Sequence, residues 1–134
     1  MPSFDAFDLP AFENNLFGTG TTPARHFTLF GLRHEAGPGA RLDTDPPAKL
    51  RLVNPMHHLV DQVTPQRSRH WWIRVGTKDS DTSLSVVSTP HARLTVLGDD
   101  VDTAYYGDGG HGADEDPGEF VKWIARVSGR RAHP

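Results

Sequence analysis

Cysteine is absent from this sequence of 134 residues. Its absence excludes disulfide bonds, thiolate metal ligands and a thiol nucleophile. Acidic residues outnumber basic residues, and the formal net charge is -3. This charge argues against binding to nucleic acid or to an anionic membrane. No apolar run approaches the roughly 20 residues that span a bilayer. Residues 1–10 lack a signal-peptide pattern, so the chain as written is expected to be cytoplasmic.

Glycine and proline are plentiful, at 13 and 11 residues, and they indicate long irregular connections. Residues 1–45 contain scattered phenylalanines among polar and turn-forming residues, with no sustained hydrophobic period. We therefore predict an irregular cover segment over 1–45, followed by a regular domain over 46–134. Short helices are expected over 48–53 and 56–60, where two apolar runs are separated by an Asn-Pro pair.

The second half of the sequence has the alternating pattern of an α/β protein. Bulky and β-branched residues over 71–76 predict a strand that is buried on both faces. Apolar residues at three- and four-residue spacing predict a helix over 82–97, and a second strand is predicted over 101–106. A last helix should begin at Pro117 and end before Gly129. This βαβα order predicts two parallel strands joined by a right-handed crossover.

Polar residues follow each predicted strand, at the sheet edge where parallel α/β proteins gather catalytic groups. Asp79 and Asp81 come after the first strand, and His111 lies in a glycine-rich loop after the second. An acid followed by a histidine is the chain order at the end of a Ser-Asp-His triad. The carboxylate would accept from Nδ1 of the imidazole and leave Nε2 for the nucleophile. Plainer interpretations are Asp79 as a turn residue, Asp81 as a helix N-cap and His111 as an ordinary loop residue.

Longer stretches of the sequence resemble one family of enzymes. The residues over 70–76, 79–83 and 110–111 resemble the bacterial tannases and related α/β-hydrolase esterases of the feruloyl-esterase type. Two upstream stretches, 13–18 and 25–28, resemble the region between the core and the active-site cover of that family. The likeness runs over most of the chain. It implies an α/β fold class, namely the C-terminal βαβα portion of an α/β-hydrolase fold with an irregular cover segment.

Carried over position by position, the resemblance assigns catalytic and substrate-binding roles. It makes Asp79 the triad acid and His111 the triad base. It makes Asp81 a contact for the phenolic hydroxyls of a galloyl-type acyl group, and Glu13 a second such contact. The implied activity is hydrolysis of a small aromatic ester, such as a gallate or a ferulate, through an acyl-enzyme. No cofactor is expected, and no spacing of histidines or acids in the sequence predicts a metal site.

One element that the family requires is missing from these residues. No serine has glycine two positions away on both sides, so the sequence has no Gly-x-Ser-x-Gly elbow to carry the nucleophile. We therefore expect a truncated esterase chain, or one part of a split enzyme, that is inactive alone. It should self-associate or pair with an N-terminal hydrolase half, because two strands leave open sheet edges. The alternative is a non-catalytic interaction or regulatory module that retains a hydrolase-derived scaffold.

Overall fold

The computed structural model describes residues 5–61 and 65–129. The chain forms two compact units, Met1–Val60 and Asp61–Pro134. The border between the units falls later than residue 45, where the sequence predicts that the cover segment ends. The assignment of residues 46–134 to a hydrolase core stays a prediction. None of the helices in the described ranges is long and apolar enough to cross a membrane.

Short helical elements make up the first unit. They are two α-helices, α1 (Leu29–Ala36) and α2 (Pro46–Val53), and two 3-10 helices, Phe12–Asn15 and Pro55–His57. α2 confirms the short helix predicted over 48–53. The second helix, predicted over 56–60, is shorter than expected, because the chain makes only a 3-10 turn there.

α1 lies inside the segment that was predicted to be irregular, and its N-terminus explains the error. The Thr28 side chain accepts a hydrogen bond from the Gly31 N–H at 3.1 Å, as an N-cap residue does. The Asp5 carboxylate in turn accepts from the Thr28 N–H at 2.8 Å and from the Thr28 hydroxyl at 2.6 Å. Because Asp5 is distant in sequence, the start of α1 depends on tertiary contacts rather than on hydrophobic periodicity.

A buried asparagine holds the irregular start of the first unit together. Asn14 is fully buried, and its side chain accepts from the Ala6 N–H at 3.0 Å. It donates to the carbonyls of Ala6 and Asp8, both at 3.1 Å. The Phe17 and Phe27 rings, with centroids 4.9 Å apart, supply apolar packing nearby in this unit. One polar side chain thus satisfies backbone groups that no helix or strand satisfies.

The second unit has the predicted βαβα order. Its elements are β1 (His70–Gly76), α3 (Ser85–Val96), β2 (Asp100–Tyr106) and α4 (Pro117–Val127). The strands are parallel, with His70 opposite Asp100 and Gly76 opposite Tyr106. This pairing confirms the prediction of a small parallel α/β unit. It also brings the carboxyl ends of both strands to the same edge of the sheet.

The two helices of this unit cover opposite faces of the sheet. Trp72 of β1 contacts Phe120 and Trp123 of α4, with ring centroids 5.6 and 5.8 Å apart. Nδ1 of His91 in α3 lies 2.9 Å from the Thr103 hydroxyl in β2. The register pairs Trp72 with the residue before Thr103, and neighbouring strand residues point to opposite faces. The unit therefore has a helix, sheet and helix layer.

Burial of this unit is less complete than predicted. The last two residues of β1 are buried, but residues 71–74 are only half-buried. The predicted apolar face of α4 is present, yet Phe120, Val121 and Ile124 are 41%, 65% and 43% exposed. A sheet of two strands is too narrow to cover its helices. Apolar surface therefore stays exposed on α4.

Candidate active site

The carboxyl ends of β1 and β2 bring two loops into contact. The Thr77 N–H donates to the Tyr106 carbonyl at 2.9 Å, and the Lys78 N–H donates to the Gly109 carbonyl at 2.9 Å. Gly76 allows this approach, because a Cβ added to it would lie 2.1 Å from the Gly109 carbonyl oxygen. Any side chain at this position would displace the neighbouring backbone. The loops that carry the candidate residues are therefore held side by side.

Asp79 and His111 meet across these loops. Nδ1 of His111 lies 3.1 Å from Oδ1 and 3.2 Å from Oδ2 of Asp79. An ionised carboxylate can only accept, so the proton of this contact is on Nδ1, and Nε2 of the neutral ring can accept a proton. The side chain of Asp79 is 5% exposed and that of His111 is 48% exposed. A buried acid thus holds a histidine that solvent can reach.

The surroundings of Asp79 favour its ionised form. Burial raises its pKa, but hydrogen bonds from the Asp81 N–H, from His111 and from the Thr82 N–H outweigh burial and lower the pKa below the ordinary aspartate value. The two backbone donors lie 2.8 and 3.0 Å from Oδ1. Asp79 is therefore a turn residue and the partner of the histidine at once, so the two interpretations of the sequence are compatible.

Asp81 lies beside this pair and does not cap the following helix. Its Oδ2 is 3.7 Å from Nδ1 of His111, and its side chain is 43% exposed. The N-cap position of α3 is Leu84, so the interpretation of Asp81 as the cap is wrong. The cause is local, because the N–H groups of Asp81 and Thr82 bond to Asp79 and keep this stretch in a turn. For the same reason α3 begins later than predicted.

Glu13, the second predicted substrate contact, belongs to the first unit. It lies in the 3-10 helix Phe12–Asn15, where its carbonyl accepts from the Leu16 N–H at 3.2 Å. Its side chain is half-buried. Within the described residues this side chain has no contact that gives it a function, so its substrate role stays a prediction.

Asp79, Asp81 and His111 also form a group that could hold a metal ion. Their ligand atoms lie within 4.8 Å of one another in the described part of the chain. Three such ligands suffice for a metal site with an open position. In the arrangement present, Nδ1 of His111 bonds to Asp79, so a metal ion bound at this nitrogen would have to displace that hydrogen bond. The geometry fits an acid–base pair, and the expectation of no metal site stays a prediction.

The site region contains two further residues, Thr77 and Asp108, to which the sequence assigns no role. Thr77 Oγ1 accepts a hydrogen bond from the Asp108 N–H at 2.9 Å, which links the loop after β1 to the loop after β2. Asp108 has a φ of 60°, a left-handed conformation that aspartate adopts more readily than most residues. An aspartate between two glycines is the signal that could have indicated this turn. Its pairing with Thr77 has no signal in the sequence.

The fold and the site together define a class of protein. A parallel strand, helix and strand unit brings a buried carboxylate and an exposed histidine to the carboxyl edge of its sheet. Parallel α/β proteins position ligands and catalytic groups at this edge. The second unit is therefore an α/β unit with an acid–histidine pair where such proteins carry out chemistry.

Comparison with known proteins gives the family within this class. No family model and no curated protein matches the chain. Among solved structures, the tannase from Lactobacillus plantarum is 34% identical with a TM-score of 0.74, and the Fusobacterium nucleatum tannase is 30% identical with a TM-score of 0.72. A tannin acyl hydrolase in complex with ethyl gallate is 32% identical with a TM-score of 0.74. Each of these matches covers 92% of this chain and 26% of the other.

The chain is similar to tannase-type esterases over 92% of its length, and this similarity confirms the resemblance to a C-terminal portion of such an esterase that was seen in the sequence. Its structural relatives belong to a family of carboxylic-ester hydrolases. It spans about a quarter of the length of the solved tannases, since each match covers 26% of those chains.

Proposed function

We propose that the chain supplies the acid and the base of a serine-type carboxylic-ester hydrolase, with Asp79 as acid and His111 as base. The hydrogen bond from Nδ1 of His111 to the buried carboxylate carries the proposal. It orients the ring so that Nε2 can take a proton from a serine hydroxyl. Asp79 then stabilises the imidazolium, because its lowered pKa keeps the carboxylate charged.

The proposed reaction runs in two halves through an acyl-enzyme. In the first half, His111 takes the serine proton as the serine oxygen attacks the ester carbonyl, and then gives that proton to the departing alcohol. In the second half, His111 takes a proton from water as the water attacks the acyl group, and returns a proton to the serine. The exposure of the His111 side chain supports this role, since substrate and water must both reach Nε2.

The nucleophilic serine is proposed to come from a segment other than these 134 residues. No serine of the chain lies in a Gly-x-Ser-x-Gly elbow. The matched region is 26% of the solved tannases, so most of a tannase has no counterpart here. The chain is then a truncated esterase or one part of a split enzyme. By itself it should hold the acid–histidine pair in place without turning over an ester.

The proposed substrates are esters of hydroxy-aromatic acids, including gallates and ferulates. Two of the similar structures are tannin acyl hydrolases in complex with ethyl gallate and with 3,4-dihydroxybenzoate. The position of Asp81 supports this class, because its exposed carboxylate lies close to the ring of His111. A carboxylate accepts strong hydrogen bonds from phenolic hydroxyls. Glu13 is proposed as a second acceptor for the same hydroxyl groups.

The proposed partner of the second unit is the upstream half of a hydrolase core. Phe120, Val121 and Ile124 on α4 are between 41% and 65% exposed, and the sheet has two strands with open outer edges. The relatives contain much more chain than the 26% matched here, which could extend the sheet and cover α4. A second copy of this chain is the alternative occupant.

Esterase complementation tests the proposed function. The purified chain should hydrolyse ethyl gallate no faster than its His111→Ala variant. Adding an upstream tannase segment that carries a Gly-x-Ser-x-Gly elbow should produce turnover. That turnover should fall roughly 10⁶-fold in His111→Ala and roughly 10⁴-fold in Asp79→Asn, as it does when the base or the acid of a triad is removed. Asp114→Asn changes an exposed acid in the same loop as His111 and should retain the activity.

Sedimentation of the same mixture tests the proposed partner. A 1:1 complex with the upstream segment is expected, and Val121→Lys should weaken it by placing a charge in the apolar face of α4. Lys122→Ala, at the exposed neighbouring position, should not weaken it. A complex of two copies of the chain would contradict this pairing. A 1:1 complex without turnover would favour a non-catalytic interaction module, and turnover by the chain alone that His111→Ala abolishes would place the nucleophile within it.

A further inference from the structure

We propose that Thr77 is a positioning residue, whose hydroxyl oxygen fixes the loop that carries His111 against Asp79. This inference rests on the proposed function in that it treats Asp79 and His111 as the acid and the base. It concerns how the second unit keeps those two side chains within hydrogen-bonding distance of each other.

The position of the Thr77 hydrogen bond supports this role. Oγ1 of Thr77 accepts from the Asp108 N–H at 2.9 Å. Thr77 lies shortly before Asp79 in the loop after β1, and Asp108 lies shortly before His111 in the loop after β2. The bond therefore joins the two loops close to both members of the pair. The flanking bonds between these loops, from the Thr77 and Lys78 N–H groups, involve the backbone alone.

The loop that carries His111 needs such an anchor. Glycine stands at 109, 110 and 112, and Gly112 has a φ of 74°. A Cβ added to Gly110 would meet no atom within 4 Å, so packing does not restrain the chain there. The 48% exposed side chain of His111 is not held by packing either. Close packing between the two loops is found at Gly76 and Gly109, and hydrogen bonds at the start of the loop supply further restraint.

The same hydrogen bond keeps Asp108 in its left-handed conformation. With a φ of 60°, Asp108 reverses the chain as it leaves β2, and the Gly109 N–H then donates to the Tyr106 carbonyl at 3.2 Å. A second contact joins the same loops, because Nζ of Lys78 lies 3.0 Å from Oδ1 of Asp108. Those two side chains are 68% and 84% exposed, so this ion pair contributes little. It provides a matched control.

Variants of the full chain test the role by amide exchange. Thr77→Val removes the acceptor and keeps the shape of the side chain, Thr77→Ser keeps the hydroxyl, and Lys78→Ala removes the exposed ion pair. Exchange of the Asp108 amide should be about 10-fold faster in Thr77→Val, the effect of losing one hydrogen bond. It should be close to the parent rate in Thr77→Ser and Lys78→Ala. The amide of Val75, at the buried end of β1, should exchange at the parent rate in all three.

NMR measures the contact between Asp79 and His111 in the same variants. The carboxyl ¹³C titration of Asp79 should move to higher pH in Thr77→Val, because the hydrogen bond from His111 contributes to its lowered pKa. The ¹⁵N shifts of the His111 ring should lose their preference for a proton on Nδ1. Both signals should return to the parent values in Thr77→Ser, a rescue that a change in overall stability would not produce.

Two results would overturn the proposal. One is a folded variant without the hydroxyl that keeps the parent exchange at Asp108 and the parent titration of Asp79. The other is an equal change in Lys78→Ala. Thr77→Ala takes the place of Thr77→Val if the valine variant does not fold. None of these signals depends on ester turnover, so a failed complementation assay would count against the proposed function and leave this test intact.

Discussion

Each unit of the chain contains a histidine bonded to an aspartate, and the two pairs differ in their surroundings. In the first unit the His26 side chain is 3% exposed, with Nδ1 2.8 Å from Oδ1 of Asp5 and Nε2 2.6 Å from Oε2 of Glu35. In the second unit the side chain of His111 is 48% exposed, and its contact with Asp79 uses Nδ1. Both nitrogens of His26 are engaged by carboxylates, whereas Nε2 of His111 has no hydrogen bond to another described residue and stays available for the proposed proton transfer.

A histidine and an aspartate thus stabilise the fold of the first unit, whereas in the second unit they have a geometry that fits acid–base catalysis. Only a protonated ring can donate to two carboxylates, so His26 is a charged link between the start of the chain and α1. A general base instead needs one nitrogen within reach of the reacting proton. Access to the second nitrogen is therefore a requirement that His111 meets and His26 does not. It does not suffice alone, because the 46% exposed His70 also bonds an aspartate through Nδ1, at 2.9 Å from Asp100, but at the amino ends of the strands.

The largest effect is expected from breaking the buried pair. Asp5→Asn places an amide NH₂ among the donors that the carboxylate accepts from His26 and Thr28. Since the Asp5 side chain is 2% exposed, water cannot replace the lost acceptor. The first unit should lose about 4 kcal/mol of stability in urea unfolding. Asp8→Asn, at an exposed position, should cost less than about 0.5 kcal/mol, and equal losses would contradict the structural role of Asp5.

The next largest effect is expected in the second unit, where the two loops touch. Gly76→Ala places a Cβ 2.1 Å from the Gly109 carbonyl oxygen, so one backbone must move. We expect a loss of about 3 kcal/mol in urea unfolding, together with a changed Asp79 carboxyl signal in ¹³C NMR. Gly107→Ala is the matched control, because a Cβ there would meet no atom within 4 Å. If the two variants behave alike, the loops are not in tight contact.

Changes of pH should affect the two pairs in opposite directions. Burial lowers the pKa of His26, but the hydrogen bonds to Glu35 and Asp5 outweigh burial and raise the pKa above the ordinary histidine value. The charged ring stabilises the first unit fully below about pH 6.5, and this contribution is lost as the pH rises through the raised pKa. The pKa of Asp79 is lowered, so its contribution is present above about pH 3.9 and is lost as the pH falls through the lowered pKa.

Urea unfolding followed by NMR signals of each unit, at about pH 6 and pH 9, measures this difference. The first unit should be less stable at the higher pH, because the raised pKa of His26 makes the charged ring a stabilising group that is lost on deprotonation. The alkaline side is the diagnostic one, because hydrogen bonds from Arg25 and Lys49 lower the pKa of Asp45 and make the first unit acid-sensitive as well. His26→Gln should abolish the alkaline loss. Persistence of that loss would show that another group causes it.

The smallest effect on stability is expected at the exposed histidine. His111→Gln should change the stability of the second unit by less than about 0.5 kcal/mol, because the ring makes little buried contact. The pKa of Asp79 should nevertheless rise, since one of the hydrogen bonds that lower it is lost. Carboxyl ¹³C titration measures that rise. His26→Gln is the counterpart in the first unit and should cost several times more, and equal costs would mean that His111 has a structural role.

The second unit could largely be predicted, because its patterns act over short distances. Hydrophobic spacing and β-branched residues located β1, α3, β2 and α4, and Pro117 marked the start of α4 correctly. The proximity of Asp79 and His111 was foreseeable as well, since parallel strands end at the same edge of a sheet. The first unit was less predictable. α1 and the hydrogen bonds of Asn14 depend on residues that are distant in sequence or lie in irregular structure.

By itself, the sequence determined the βαβα order and the resemblance to tannase-type esterases, and it predicted that Asp79 and His111 follow the two strands at one edge of the sheet. Tertiary structure alone decided that Asp81 does not cap α3, that Thr77 holds the neighbouring loop, and that His111 is exposed while His26 is buried between carboxylates. The physical reason is range. Hydrophobic periodicity and turn chemistry are local properties of the chain, whereas burial and hydrogen-bond partners depend on which distant groups fold against a residue.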